Sequence, residues 1–163
     1  MSIFDFFRKK KQQPELPPNN QNGNMQKETI KRYVEILTES IQLVNDSNNL
    51  DTVLKRYLIV YNTLNKLLPY SDTELKEAGY ALKGSITNTQ SYMQNNRAAI
   101  INQAIERNIT YEIGLLKTPK GKINKLDTLY QNIKNNNNLE TSNLVFLENL
   151  YLNIIYLVIN YCS

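Results

Sequence analysis

Histidine is absent from this 163-residue chain, and cysteine occurs once, at Cys162. Without an imidazole, no Ser-His-Asp or Cys-His nucleophile can be assembled. A lone thiol forms no internal disulfide, and without histidine it leaves no ligand set for a metal. Walker-type lysine loops, GxGxxG and GxSxG are also missing. Acidic pairs such as Asp72/Glu74 and Glu106/Glu112 fall at helix starts or on faces that should be solvated. No catalytic residue, metal or cofactor is therefore assigned, and the chain is expected not to be an enzyme.

Proline and glycine are scarce. Beyond residue 24 there are two prolines, Pro69 and Pro119, and four glycines. Hairpins and repeated turns consume more of both, so the body is expected to be all-α. Long hydrophobic runs are also few. The longest, residues 150–162, is interrupted by Asn153 and Asn160 and falls short of a membrane span. At the start, apolar residues precede the basic ones, the reverse of a signal peptide, and Met-Ser lacks the glycine that myristoylation needs. The expectation is an intracellular, cytoplasmic protein. Asparagine makes up about one residue in seven, as an AT-rich coding sequence would produce, so the sequons at Asn45 and Asn108 carry no weight.

Ile3, Phe4, Phe6 and Phe7 stand directly before an unbroken cationic run, Arg8, Lys9, Lys10 and Lys11. A Pro/Asn/Gln-rich stretch without apolar periodicity follows to about residue 24. Residues 1–24 thus read as a disordered lead with a sticky tip, and 25–163 as a single all-helical domain. As a helix, the tip would place Ile3, Phe4 and Phe7 on one face, suited to weak contact with an anionic membrane at its inner face. As a linear motif it would dock on a partner protein. A tail without a role is the third reading, and in all three its aromatics should add nothing to the stability of the body.

Within the body, Ile30, Tyr33, Val34, Leu37, Ile41 and Val44 follow the i, i+3, i+4, i+7 rule of a buried helical stripe. Asp51 offers an N-cap for a second helix carrying Leu54, Tyr57, Leu58, Tyr61, Leu64 and Leu68, which Pro69 stops. Ser71-Asp-Thr-Glu74 is a capping box opening a third helix with Leu75, Ala78, Leu82 and Ile86, weakened by Gly79 and Gly84. A fourth runs from Asn96 with Ile101, Ala104, Ile105, Ile109 and Ile113. Thr118-Pro119 starts a fifth, with a break at Lys117-Thr118 because the residue before proline avoids α geometry. The last, roughly 141–160, is apolar around most of its circumference, the pattern of a central bundle helix or of a segment that docks into a partner. The predicted fold is an antiparallel bundle of five or six helices.

The net charge of +4 divides equally, +2 on residues 1–24 and +2 on the remainder. Residues 117–134 hold five lysines against Asp127, whereas 35–51 hold four acids and no base. Lys117, Lys120, Lys122 and Lys125 gather around the start of the Pro119 helix, whose free amides and positive end would favour a phosphate or nucleic-acid backbone. Aromatics for base stacking are not interleaved with them, and a solvated turn explains the same residues.

Two blocks resemble a known group. The first is Glu39-Ser-Ile-Gln-Leu-Val-Asn-Asp-Ser-Asn-Asn-Leu-Asp-Thr-Val-Leu-Lys-Arg-Tyr57, followed by Leu-Ile-Val-Tyr-Asn-Thr-Leu-Asn-Lys-Leu67. The second runs from Ile105-Glu-Arg107 to Leu116-Lys-Thr-Pro-Lys-Gly-Lys122. With the Phe- and Lys-rich opening, they are similar to small uncharacterised helical proteins of Firmicutes and their phages. The resemblance covers about half the chain and implies an all-helical domain of bacterial or phage origin, without an activity; Pro119 departs from its pattern. The leading expectation is a non-enzymatic adaptor or regulatory protein that binds a protein partner through a helical face or the N-terminal motif. The alternative is an anion- or nucleic-acid-binding helical protein using the lysines of 117–125.

Overall fold

The computed structural model describes residues 21–79 and 83–161, and every regular element among them is an α-helix. Seven are present: α1 (Gln21–Asp46), α2 (Leu50–Leu67), α3 (Asp72–Glu77), α4 (Lys83–Asn95), α5 (Arg97–Gly114), α6 (Pro119–Lys134) and α7 (Thr141–Tyr161). The all-α antiparallel expectation holds, and the count is corrected upward from five or six. The extra helix arises at Gly79, whose φ of +85° belongs to the left-handed region that side chains avoid. There the amides of Ala78 and Gly79 close back onto Glu74 O and Lys76 O, ending α3 after six residues. Asp72 Oδ1 accepts from Lys83 N at 2.7 Å, so the start of α4 is satisfied from the helix before it.

Two boundaries also move. Gln21, Asn22, Gly23 and Asn24 belong to α1 rather than to the lead; the helix begins upstream of its apolar stripe, where no periodicity marks it. Residues 1–20, with the expected disordered lead, lie outside the described residues. The cap of α2 is Asn49 rather than Asp51. Asn49 Oδ1 accepts from Thr52 N at 3.0 Å, which places Asp51 inside the first turn, where its charge meets the positive helix end.

The chain forms two compact units. Among the described residues, one takes 21–44, 55–79 and 83–95, the other 45–54 and 96–161. In the first, α1 and α2 run antiparallel: Arg56 meets Glu39 at 3.8 Å, and Lys66 lies over the ring of Tyr33 at 5.6 Å. Ile30, Leu37, Val60, Leu64 and Leu67 are fully buried. Leu58, expected on the buried stripe of α2, is 58% exposed; Val60 takes the inward position. Tyr57 donates to the carbonyl of Met93 and joins α2 to α4.

The second unit is built on α5, α6 and α7, which pack pairwise. Ile101, Ala104, Ile105 and Ile109 of α5 have no exposed surface, and Leu126 of α6 and Leu147 of α7 close on the same core. The break before Pro119 forms as expected. Thr118 adopts extended geometry and its Oγ1 accepts from Gly121 N at 3.1 Å. A Cβ at Gly121 would lie 2.8 Å from that hydroxyl oxygen. Gly121→Ala is therefore expected to displace the cap and cost about 1 kcal/mol, the usual value of a lost N-cap. Matched urea titrations of Gly121→Ala and Thr118→Ala should show similar losses; an unchanged midpoint for Gly121→Ala would refute the close approach.

Candidate functional site

The strongest departure from a self-contained bundle is α7. Among the described residues it is the helix long and apolar enough, by length and composition, to cross a membrane, and 17% of that stretch is buried. Counting its full 21 residues corrects the expectation that the C-terminal apolar run is too short to span. It also corrects the expectation of a central bundle helix. Asn143, Leu147 and Val158 point inward, while Val145, Leu152, Tyr156, Leu157 and Ile159 each leave more than half their surface exposed. One flank of α7 is core and the opposite flank is apolar and uncovered.

The covered flank is held firmly. Asn143 is fully buried, donates to Ala98 O at 3.1 Å and Asn102 Oδ1 at 2.8 Å, and accepts from Glu140 N at 3.1 Å. It therefore caps the first turn of α7 and pins it to α5. Arg97 adds a 2.8 Å ion pair with Glu140 and donates to Asn138 O at 2.9 Å. Farther along, the Tyr151 hydroxyl donates to Asp127 of α6, and its ring lies 4.5 Å from that of Tyr130. No pattern in the sequence singles out Asn143 among so many asparagines.

The bond to Asp127 raises the Tyr151 pKa above its ordinary 10, with burial and the Asp127 charge adding to it. A proton held more tightly in the folded state stabilises fully below about pH 10, and the contribution fades as pH rises through the raised value. The melting-temperature difference between the native chain and Tyr151→Phe is thus expected to shrink above about pH 10. A difference that stays constant into that range would exclude the Asp127 bond as its source.

Two of the four lysines are engaged within the fold. Lys122 Nζ donates to Ile113 O at 3.1 Å, serving the open carbonyl end of α5. Lys125 pairs with Glu112 at 3.5 Å. Lys117 and Lys120 are exposed, and Thr118 already occupies one free amide at the α6 N-terminus. The residues proposed for docking at the tip, Ile3, Phe4, Phe6, Phe7, Arg8, Lys9, Lys10 and Lys11, lie outside the described residues.

An open depression of about 580 Å³ is lined by Asn48, Gln103, Glu106, Arg107, Thr110 and Tyr111. Burial pushes the Arg107 guanidinium down, and Asp46 acts in the opposite direction. Arg107 Nε donates to Ser47 O at 3.3 Å, so the cation serves to hold the α1–α2 turn. No family model matches this chain, and no curated protein or solved structure matches it.

Proposed function

We propose that this protein works by binding another protein, and that the uncovered face of α7 is the contact surface. The carrying observation is the exposure of Val145, Leu152, Tyr156 and Ile159 on a helix whose opposite side is fixed by Asn143 and Leu147. Four half-exposed apolar side chains on one face form a patch on the order of several hundred Å², the scale at which an exposed surface has a binding role. The chemistry that fits is an apolar helix laid along α7.

A lipid surface fits less well. α7 contains no lysine or arginine, whereas helices lying on anionic membranes carry cations along their polar flank. Asn149 and Glu148 sit midway along it and would meet hydrocarbon. Lys122 and Lys125 are engaged within the fold, which weakens the case for an anion or nucleic-acid site there.

A photoreactive residue placed at position 152, compared with one at position 120, tests this in the cells that make the protein. Protein adducts from 152, absent from 120 and lost when Tyr156→Glu is added, are expected. Adducts to lipid alone, or no adduct, would overturn the proposal.

A further inference from the structure

The uncovered flank of α7 has an internal order. Val145, Asn149, Leu152, Tyr156 and Ile159 are separated by steps of four, three, four and three residues, and all five are exposed. That alternation defines a coiled-coil seam, with Asn149 and Tyr156 at a and Val145, Leu152 and Ile159 at d. We infer that the partner of this face is a second copy of the same chain, paired parallel and in register along α7. The inference rests on the docking role proposed above and names its occupant.

Self-pairing follows from Asn149. A primary amide in a seam of valine, leucine, isoleucine and tyrosine loses its water on pairing, and its hydrogen bonds are replaced only if it faces a group that both donates and accepts. In a parallel, in-register pair it faces itself, and a single asparagine at an a position specifies that arrangement. In an antiparallel pair, a positions oppose d positions, and Asn149 would be set against valine, leucine or isoleucine.

The flanks agree. Glu148 takes the g position and Asn153 the e position five residues later, so in the parallel pair Glu148 of each chain faces Asn153 of the other. The seam and its flanks carry no other charge, and no like charges are opposed. Residues 145–159 span about 21 Å at the helical rise. Two such faces bury on the order of several hundred Å² per chain, at the low end for stable complexes. The pairing is therefore reversible, with Kd on the order of micromolar.

Sedimentation of the full chain from about 1 to about 200 µM decides whether it pairs. The average mass should rise from 18.9 kDa toward twice that value. Leu152→Glu, at an exposed position that leaves helix content unchanged, should hold it at the monomer mass, whereas Lys120→Glu should not. Register is read by Val145→Cys and Ile159→Cys, each made in a Cys162→Ser chain. Both should oxidise to disulfide-linked dimers, since the two positions lie about 21 Å apart and an antiparallel pair could join at most one of them.

A dimer that links at only one position or at neither would overturn the parallel register. A monomer at every concentration would overturn self-pairing. If position 152 then cross-links to a different protein, the docking reading survives without it; if it cross-links to no protein, both fall. Co-flotation of the monomer with phosphatidylserine vesicles, abolished by Leu152→Glu, would assign the face to lipid and overturn both.

Discussion

Ile105→Ala is expected to lower stability by about 2–5 kcal/mol, the range for removing a branched side chain from a core that cannot collapse around the gap. Ile105 has no exposed surface and lies one turn from both Ile101 and Ile109, which are equally buried. All three belong to α5, the helix that packs against both α6 and α7. The loss is set by apolar contacts left without partners as well as by the transfer of the deleted carbons. For a chain of this length each kcal/mol moves the transition by roughly 2–4 °C, so a fall of about 4–20 °C is anticipated. Leu58→Ala provides the comparison, because Leu58 is 58% exposed and its truncation should stay within about 0.5 kcal/mol. Thermal melts followed by circular dichroism measure both. Equal effects from the two substitutions would contradict the assignment of α5 as the core helix of its unit.

Asn143→Ala should cost about 2–3 kcal/mol, the sum of a lost helix cap and of buried amide hydrogen bonds. The amide is fully buried, donates to Ala98 O and Asn102 Oδ1, and accepts from Glu140 N. Alanine removes all three bonds and leaves a small void beside α5. Asn149→Ala, one residue short of two turns farther along the same helix, removes an exposed amide and should be near neutral at concentrations where the chain is monomeric. Chemical denaturation of the two variants side by side therefore separates the fixed flank of α7 from its open flank. A neutral Asn143→Ala would mean that α7 is not held at its N-terminal turn, and the docking surface would lose its rigid support.

The location of most helices follows from short-range chemistry. Ser71 Oγ accepting from Glu74 N, and Thr118 Oγ1 accepting from Gly121 N, are contacts within four residues, so local sequence specifies them. The same holds for the stripe of α1, where Ile30, Val34, Leu37, Ile41 and Val44 are all buried as their spacing predicts. In that helix the other faces are polar, and one orientation is much the best.

Where apolar residues surround a helix, periodicity loses its phase. In α2, Leu58, Ile59, Val60 and Tyr61 are consecutive, and only packing against neighbouring helices decides that Val60 turns inward and Leu58 outward. In α7 the ambiguity extends over nearly the whole length. Asn143, anchored to α5 some forty residues earlier in the chain, sets the rotation. Once that rotation is set, Val145, Leu152, Tyr156 and Ile159 face outward with Asn149 among them. Their four-three spacing is written in the sequence, but their exposure is not. It depends on a buried amide whose partners are distant in sequence, and such contacts exist only when the tertiary structure has formed. The lysines of 117–125 show the same division. Local sequence gathers them near the break before Pro119, and the antiparallel packing of α5 and α6 brings Lys122 to Ile113 and Lys125 to Glu112.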